Sequence, residues 1–404
     1  MRRLLLATAL AILPIPALAG TGLSAEIGET GITATLARLS ALPTPTDEER
    51  FAIGGLEFLA ALERVYQLRW QVGMGRGMDM IFGMAGQLGN NPNPRQLDPA
   101  EITAILDDTH AGMERARAAL ADLPDDSAFG FELDFADLWL DADGDGKRGL
   151  AESLSDIAGP VLFGWQWQER QQTQGALPAV RFDAADAPWL AAYTHLISGT
   201  TQMIRAYDPA PAIARVGEAS AILRKKDNES DPYGYSSFID MFAIVDGTLR
   251  HEPDATRTLA ARDHYLSMVS ENRRFWALVA QETDNDREWI PNDAQVSATG
   301  LTFPKGIGAS WLAVLDDAEG LLTGRLAAPY PKDIFFGRAT TQVPPGLDIS
   351  KLFTEPRPVD IVGWFQGWAA LPYLSDAPQV TAQNMLQFER LVSGEAPLFM
   401  VFLN

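Results

Sequence analysis

Glu48-Glu-Arg-Phe-Ala-Ile-Gly-Gly-Leu-Glu-Phe-Leu-Ala-Ala-Leu-Glu-Arg-Val-Tyr-Gln-Leu-Arg-Trp-Gln-Val72 repeats its apolar residues at helical spacing. Phe51, Leu56, Leu59, Leu62, Val65, Leu68 and Val72 recur mostly every three or four positions. That period lays one apolar stripe along a helix and turns it toward a core. The same reading holds for most of the chain that follows. Asp98-Pro99-Ala100-Glu101 opens a helix running to about Leu123, with Asp98 as cap, Pro99 in the first turn and Glu101 at the capping-box position. Asp208-Pro209 and Asp231-Pro232 repeat that start. Further helices are expected over Trp189–Tyr207, Pro209–Lys225, Tyr235–Leu249, Asp254–Glu282, Ile307–Leu322, Val359–Leu374 and Thr381–Leu391, with a short one near Leu36–Leu42. The class is therefore mainly α, an irregular multi-helix bundle whose C-terminal third is loop-rich. Pro304, Pro329, Pro331, Pro344, Pro345, Pro356 and Pro358 punctuate that third. No internal repeat is visible, so a solenoid is not indicated. A proline- and alanine-rich join at Gly175–Pro188 divides the chain into helical regions 20–174 and 189–404, which form two domains or one continuous one.

One segment demands a particular chemistry. Asp141-Ala-Asp-Gly-Asp-Gly-Lys-Arg-Gly-Leu-Ala-Glu152 places carboxylates at positions 1, 3, 5 and 12 of a twelve-residue loop, as Asp141, Asp143, Asp145 and Glu152. Lys147 falls at position 7, which supplies a backbone carbonyl, and Gly146 at position 6, where the chain bends with a positive φ. Three aspartates this close repel one another unless a cation lies between them. The segment resembles an EF-hand loop, and the resemblance implies Ca²⁺ held by Asp141, Asp143, Asp145, Lys147 and Glu152 between an entering helix over Phe129–Leu140 and an exiting helix over Ala151–Ile157. Arg148 stands at position 8, where a paired hand carries an apolar residue, so the site is read as solitary. Asp227-Asn-Glu-Ser-Asp231 fails as a partner, with Pro232 and Phe238 where a glycine and a glutamate belong.

The N-terminus reads as a cleavable export signal over residues 1–19: Met1-Arg2-Arg3, an apolar stretch to Leu18, and Ala17-Leu18-Ala19 at the cut. The apolar run is too short to span a bilayer, and charges interrupt every later one. The chain has no cysteine, which excludes a lipoprotein anchor, a disulfide scaffold and a cysteine nucleophile. A periplasmic or secreted location in a Gram-negative bacterium is expected, where calcium is available to a loop of weak affinity, about 10⁻⁴ to 10⁻³ M. The net charge of -21 becomes -23 when Arg2 and Arg3 leave, which argues against nucleic acid or an anionic membrane as partner.

Other candidates are weaker. Met74 with Met78 and Met80 with Met84 sit four apart and offer thioethers to Cu(I), though packing explains them more simply. His195, His251 and His264 lack a second histidine at helical spacing and read as packed or solvated. Lys305-Gly-Ile-Gly-Ala-Ser310 precedes a helix but lacks phosphate-loop spacing. No serine-elbow, zinc-protease or β-lactamase signature is present. Three functions stay open: an exported calcium-binding protein with a structural ion, an envelope-glycan hydrolase using a carboxylate pair with Trp165, Trp167, Trp364 and Trp368 as stacking platforms, and a binding or scaffold protein using its helical surface and the apolar tail beyond Pro397.

Overall fold

The computed structural model describes residues 22–73, 91–149, 152–163, 167, 169, 178–224, 235–330 and 345–404. Helices dominate them. A short pair, α1 (Leu23–Thr30) and α2 (Ile32–Ser40), breaks at Gly31, whose φ of 84° suits glycine alone. An added Cβ there would also meet the Trp139 ring at 2.9 Å. Helix α3 (Asp47–Gln71) follows, begun by a capping box in which Glu49 N–H donates to Thr46 Oγ1 and Thr46 N–H donates to Glu49 Oε2. Its stripe is buried at Phe51, Ala52, Leu56 and Ala60, but Val65 faces solvent and Glu63 takes a buried place instead.

Helix α4 (Pro99–Leu120) starts with the expected box: Ala100 N–H donates to Asp98 Oδ1 and Asp98 N–H to Glu101 Oε2. Strand β1 (Phe131–Leu133) and helix α5 (Leu154–Phe163) flank the acidic loop. Strand β2 (Val180–Phe182) pairs antiparallel with β1, Phe131 opposite Phe182 and Leu133 opposite Val180. Then come α6 (Asp186–Tyr207), α7 (Ala210–Arg224), α8 (Tyr235–Leu249), α9 (Ala255–Val279) and α10 (Ile307–Leu322). Asp208 does not open α7 as a cap. It closes α6 at φ 41°, a left-handed residue of the kind that ends helices. The last third holds β3 (Gly346–Leu347), α11 (Lys351–Thr354), α12 (Ile361–Gln366), a 3₁₀ turn at Trp368–Tyr373, β4 (Leu374–Ser375), α13 (Gln383–Leu391) and α14 (Ala396–Leu403). The segment read as a single helix over Val359–Leu374 is thus two short turns broken at Gly367, whose φ is 113°. Asp231-Pro232 lies outside the described residues.

The packing order is α3 on α4, α4 on α6, and α6 along α9, the most extensive helix pair. One core gathers α3, β1 and β2 around Phe51, Leu56, Phe131 and Phe182. A second gathers α9, α10, α13 and α14 around Phe275, Trp311, Phe388 and Phe402. Trp189 and Trp289 pack against both cores, their rings 5.6 Å apart. The Gly175–Pro188 join itself supplies β2, which pairs with β1, and the first turn of α6, and the α4–α6 contact ties the two sides together.

The apolar tail docks inward. Trp189 Nε1 donates to Phe402 O at 2.7 Å, Trp311 Nε1 donates to Leu403 O at 3.1 Å, and the buried amide of Asn272 donates to Leu403 O and Asn404 Oδ1. Burial of Phe399 and Phe402 contributes about 1.5–3 kcal/mol for each ring. An apolar cavity of about 310 Å³ lies in the first core between Leu56, Phe131, Trp189, Trp289 and Phe402. No helix among the described residues is long and apolar enough to cross a membrane.

Candidate metal centre at the acidic loop

The arm that enters the loop is not a helix. Phe131, Leu133 and Phe135 are buried in alternation with Glu132 and Asp134, a period of two that suits a strand. After β1 the chain turns at Asp134, where Ala136 N–H donates to Asp134 Oδ1. It then pairs with the start of the exit arm: Leu140 N–H donates to Glu152 O at 2.9 Å, Leu154 N–H donates to Leu138 O at 2.8 Å, and Trp139 bridges Ser153 antiparallel. The expected entering helix over Phe129–Leu140 is therefore corrected to a strand and a backbone clasp, while the exit arm is helical from Leu154. The clasp closes the loop on itself. Arg148, the residue that argued against a second hand, folds back and donates through Nη2 to Ala136 O at 2.6 Å.

Inside the clasp, Asp141, Asp143 and Glu152 each present a carboxylate oxygen within 4.8 Å of the other two. Glu152 is buried. Its Oε1 accepts from Ala142 N–H at 2.9 Å and Asp143 N–H at 3.4 Å, and its Oε2 accepts from Gly149 N–H at 2.6 Å. Those amides hold the last carboxylate of the loop at its centre. Gly146 bends at φ 73°, and Gly144 at φ 76°. Gly146 N–H donates to Asp141 Oδ2 at 3.1 Å, which ties the first position to the bend. Asp141 Oδ1 is buried with no hydrogen-bond partner. An unpartnered carboxylate oxygen in a buried place is expensive unless a donor or a cation meets it. Asp145 stands outside the trio, exposed, and accepts Lys147 N–H at 2.8 Å; Lys147 is exposed on the same outer turn.

Two residues of α3 that the sequence did not point to hold the loop in place. Glu63 Oε2 accepts Asp141 N–H at 2.9 Å and its Oε1 accepts from Thr33 of α2 at 3.0 Å. Gln67 Nε2 donates to Asp141 O at 2.8 Å. Burial pushes the Glu63 carboxyl above its ordinary range, and the two hydrogen bonds oppose that push. The loop is thus fastened to α2 and α3, and through Ser24, which donates to Asp137 Oδ2 at 2.6 Å, to α1.

The weaker candidates separate clearly. Met74 to Met84 and Trp165 lie outside the described residues. Trp167 is buried in the first core, Trp364 stacks on Tyr373, and Trp368 is exposed. Gly306 N–H at the start of α10 already donates to Asp293 Oδ1 at 2.7 Å, so a carboxylate takes the place an anion would need. His251 is exposed. His195 and His264, read singly from the sequence, meet each other and His110 where α4, α6 and α9 pack together. The legible signal for this cluster was His110 and Glu114, four apart in α4.

No protein-family model, no curated protein and no solved structure matches the chain.

Proposed function

We propose that the chain is an exported helical protein in which the loop Asp141–Glu152 binds one Ca²⁺ in a structural role. The observation that carries this reading is Asp141 Oδ1, buried and unpartnered among three carboxylates whose oxygens lie within 4.8 Å of one another. An all-oxygen, strongly anionic donor set suits a hard cation, and a flexible loop with several carboxylates suits calcium better than the smaller magnesium. Asp141, Asp143 and Glu152 would hold the ion, with Asp145 and the Lys147 carbonyl joining from the outer turn. Its charge would relieve the mutual repulsion of the aspartates and fix the junction between β1, α3 and α5. The signal-like N-terminus supports export to a compartment where a loop of about 10⁻⁴ to 10⁻³ M affinity fills. The cavity lining carries tryptophans without a carboxylate, so no specific observation favours the glycan reading; Phe399 and Phe402 of the tail are docked, and the scaffold reading rests instead on apolar side chains exposed on α7 and α8, Leu223, Phe238, Ile239 and Phe242.

Thermal melting in calcium and in chelator tests the reading, because a ligand that binds only the folded state raises the midpoint. The expected result is a midpoint that rises with calcium and no longer does so in Asp141→Asn. A midpoint indifferent to chelator would remove the structural ion.

A further inference from the structure

We propose that His110, Glu114 and His264 form a second metal site, separate from the acidic loop and selective for a divalent transition-metal ion of the zinc type. His110 and Glu114 are one turn apart on α4, and His264 faces them from α9. One ligand atom from each lies within 4.8 Å of the other two. His110 Nε2 is 3.8 Å from Glu114 Oε1, and His264 Nε2 is 4.0 Å from the same oxygen. Around a tetrahedral zinc, bonds of about 2.0–2.2 Å set ligand atoms roughly 3.4 Å apart. Small rotations of these side chains close that difference, with the half-exposed Glu114 carboxylate shared between the ion and the Arg117 guanidinium that already donates to its Oε1.

His195 of α6 supplies the orienting contact that metal-binding histidines use. Its Nδ1 lies 3.0 Å from His264 Nδ1, so one of the two must carry the hydrogen. When His264 donates, its Nε2 keeps the lone pair and points it toward Glu114. His195 is therefore a positioning residue. His110 Nδ1 is buried with no hydrogen-bond partner, so no protein acceptor fixes that ring.

Arg117 sets the selectivity. It donates to Glu114 Oε1, to Thr194 Oγ1 at 3.0 Å and to Ser198 Oγ at 3.1 Å, so its charge lies directly against the carboxylate of the cluster. A hard cation held by charge alone meets that repulsion with a single carboxylate to offset it. An ion that bonds imidazole nitrogen overcomes it. Three protein ligands leave a fourth tetrahedral position open to water or an exogenous donor.

The test is zinc competition against a chromophoric chelator, using tag-free protein in millimolar calcium so that the acidic loop is saturated. Co²⁺ absorption provides a second readout. The expected result is one equivalent of zinc with a Kd below about 10 μM and a tetrahedral cobalt spectrum. Glu114→Gln, which keeps the side-chain shape and an oxygen to accept from Arg117, weakens it at least tenfold, and His110→Gln with His264→Gln abolishes it. His195→Phe weakens it about ten- to a hundredfold and alters the cobalt spectrum, as loss of an orienting partner does. Asp141→Asn leaves zinc binding intact, which separates this site from the calcium loop. A Kd weaker than about 10 μM, or binding that survives in both Glu114→Gln and the double histidine variant, overturns the proposal.

Discussion

Replacing Glu152 by Gln separates the loop's own hydrogen bonding from ion binding, because the two effects appear under different conditions. In chelator, the variant keeps the shape of the side chain but turns one acceptor into a donor. Glu152 accepts from Ala142 and Asp143 through Oε1 and from Gly149 through Oε2. The new amide orients its oxygen toward the two-donor side and leaves Gly149 N–H unmatched. A lost partner at a buried amide costs about 1–3 kcal/mol, and the exposed Gly149 reaches water, so about 1 kcal/mol is expected. In calcium at about 100 times Kd, the parent gains about 2.7 kcal/mol by mass action, and the variant, without the bidentate carboxylate, gains almost none. With an unfolding entropy of about 2.1 cal/mol/K per residue, that gain raises the midpoint of a chain this long by about 3 °C. Calorimetric melts of both proteins, each with calcium and with chelator, give four midpoints. Equal calcium-induced rises in parent and variant would refute the reasoning, since Glu152 would then have no part in holding the ion.

Three further expectations concern the frame. Gly55 lines the cavity, and an added Cβ there comes no closer than 4.0 Å to Leu190, so Gly55→Ala should stabilise α3 by about 0.5–1 kcal/mol in urea unfolding. Gly54→Ala should lose that gain, because its Cβ would meet Leu120 at 2.8 Å. Phe402→Ala, which removes a ring 4.9 Å from Trp289, should cost about 3–5 kcal/mol and show as a lower urea midpoint. Asp183, Asp186, Glu282 and Glu288 crowd one corner with Asp284, and burial above all, with repulsion from neighbouring carboxylates added, raises all four against the hydrogen bonds they accept, Glu282 to about 7. Carboxyls raised in the folded state bind extra protons there, so their stabilisation is complete below about pH 4 and is lost as pH climbs through each raised value, for Glu282 through about 7. Urea midpoints between pH 5 and 8 should fall, and Glu282→Gln should flatten that fall.

Most helices were legible because their signals are local. Ile307–Leu322 matches the structure at both ends, Tyr235–Leu249 is helical and stops where expected, and the Asp98 box makes the bonds its spacing implied. Asp208 shows the limit of such signals: the same Asp-Pro pair that opens α4 here closes α6 in a left-handed turn. The loop's carboxylate spacing was legible, but its entering arm was not. Phe131, Leu133 and Phe135 alternate, yet a three-residue strand forms only because β2 arrives from 47 positions later. Glu63 and Gln67 lie off the apolar stripe of α3, and the loop that packs against them arrives from 78 and 74 residues later. His195 and His264 are 69 residues apart, and only the pairing of α6 with α9 makes them neighbours.

The most direct measurement is calorimetric titration of calcium into chelator-stripped protein. One binding event per chain, absent in Asp141→Asn and weakened in Asp145→Asn, is the expected result. No uptake at several times 10⁻³ M calcium, or uptake unchanged by Asp141→Asn, would contradict the assignment of the ion to this loop.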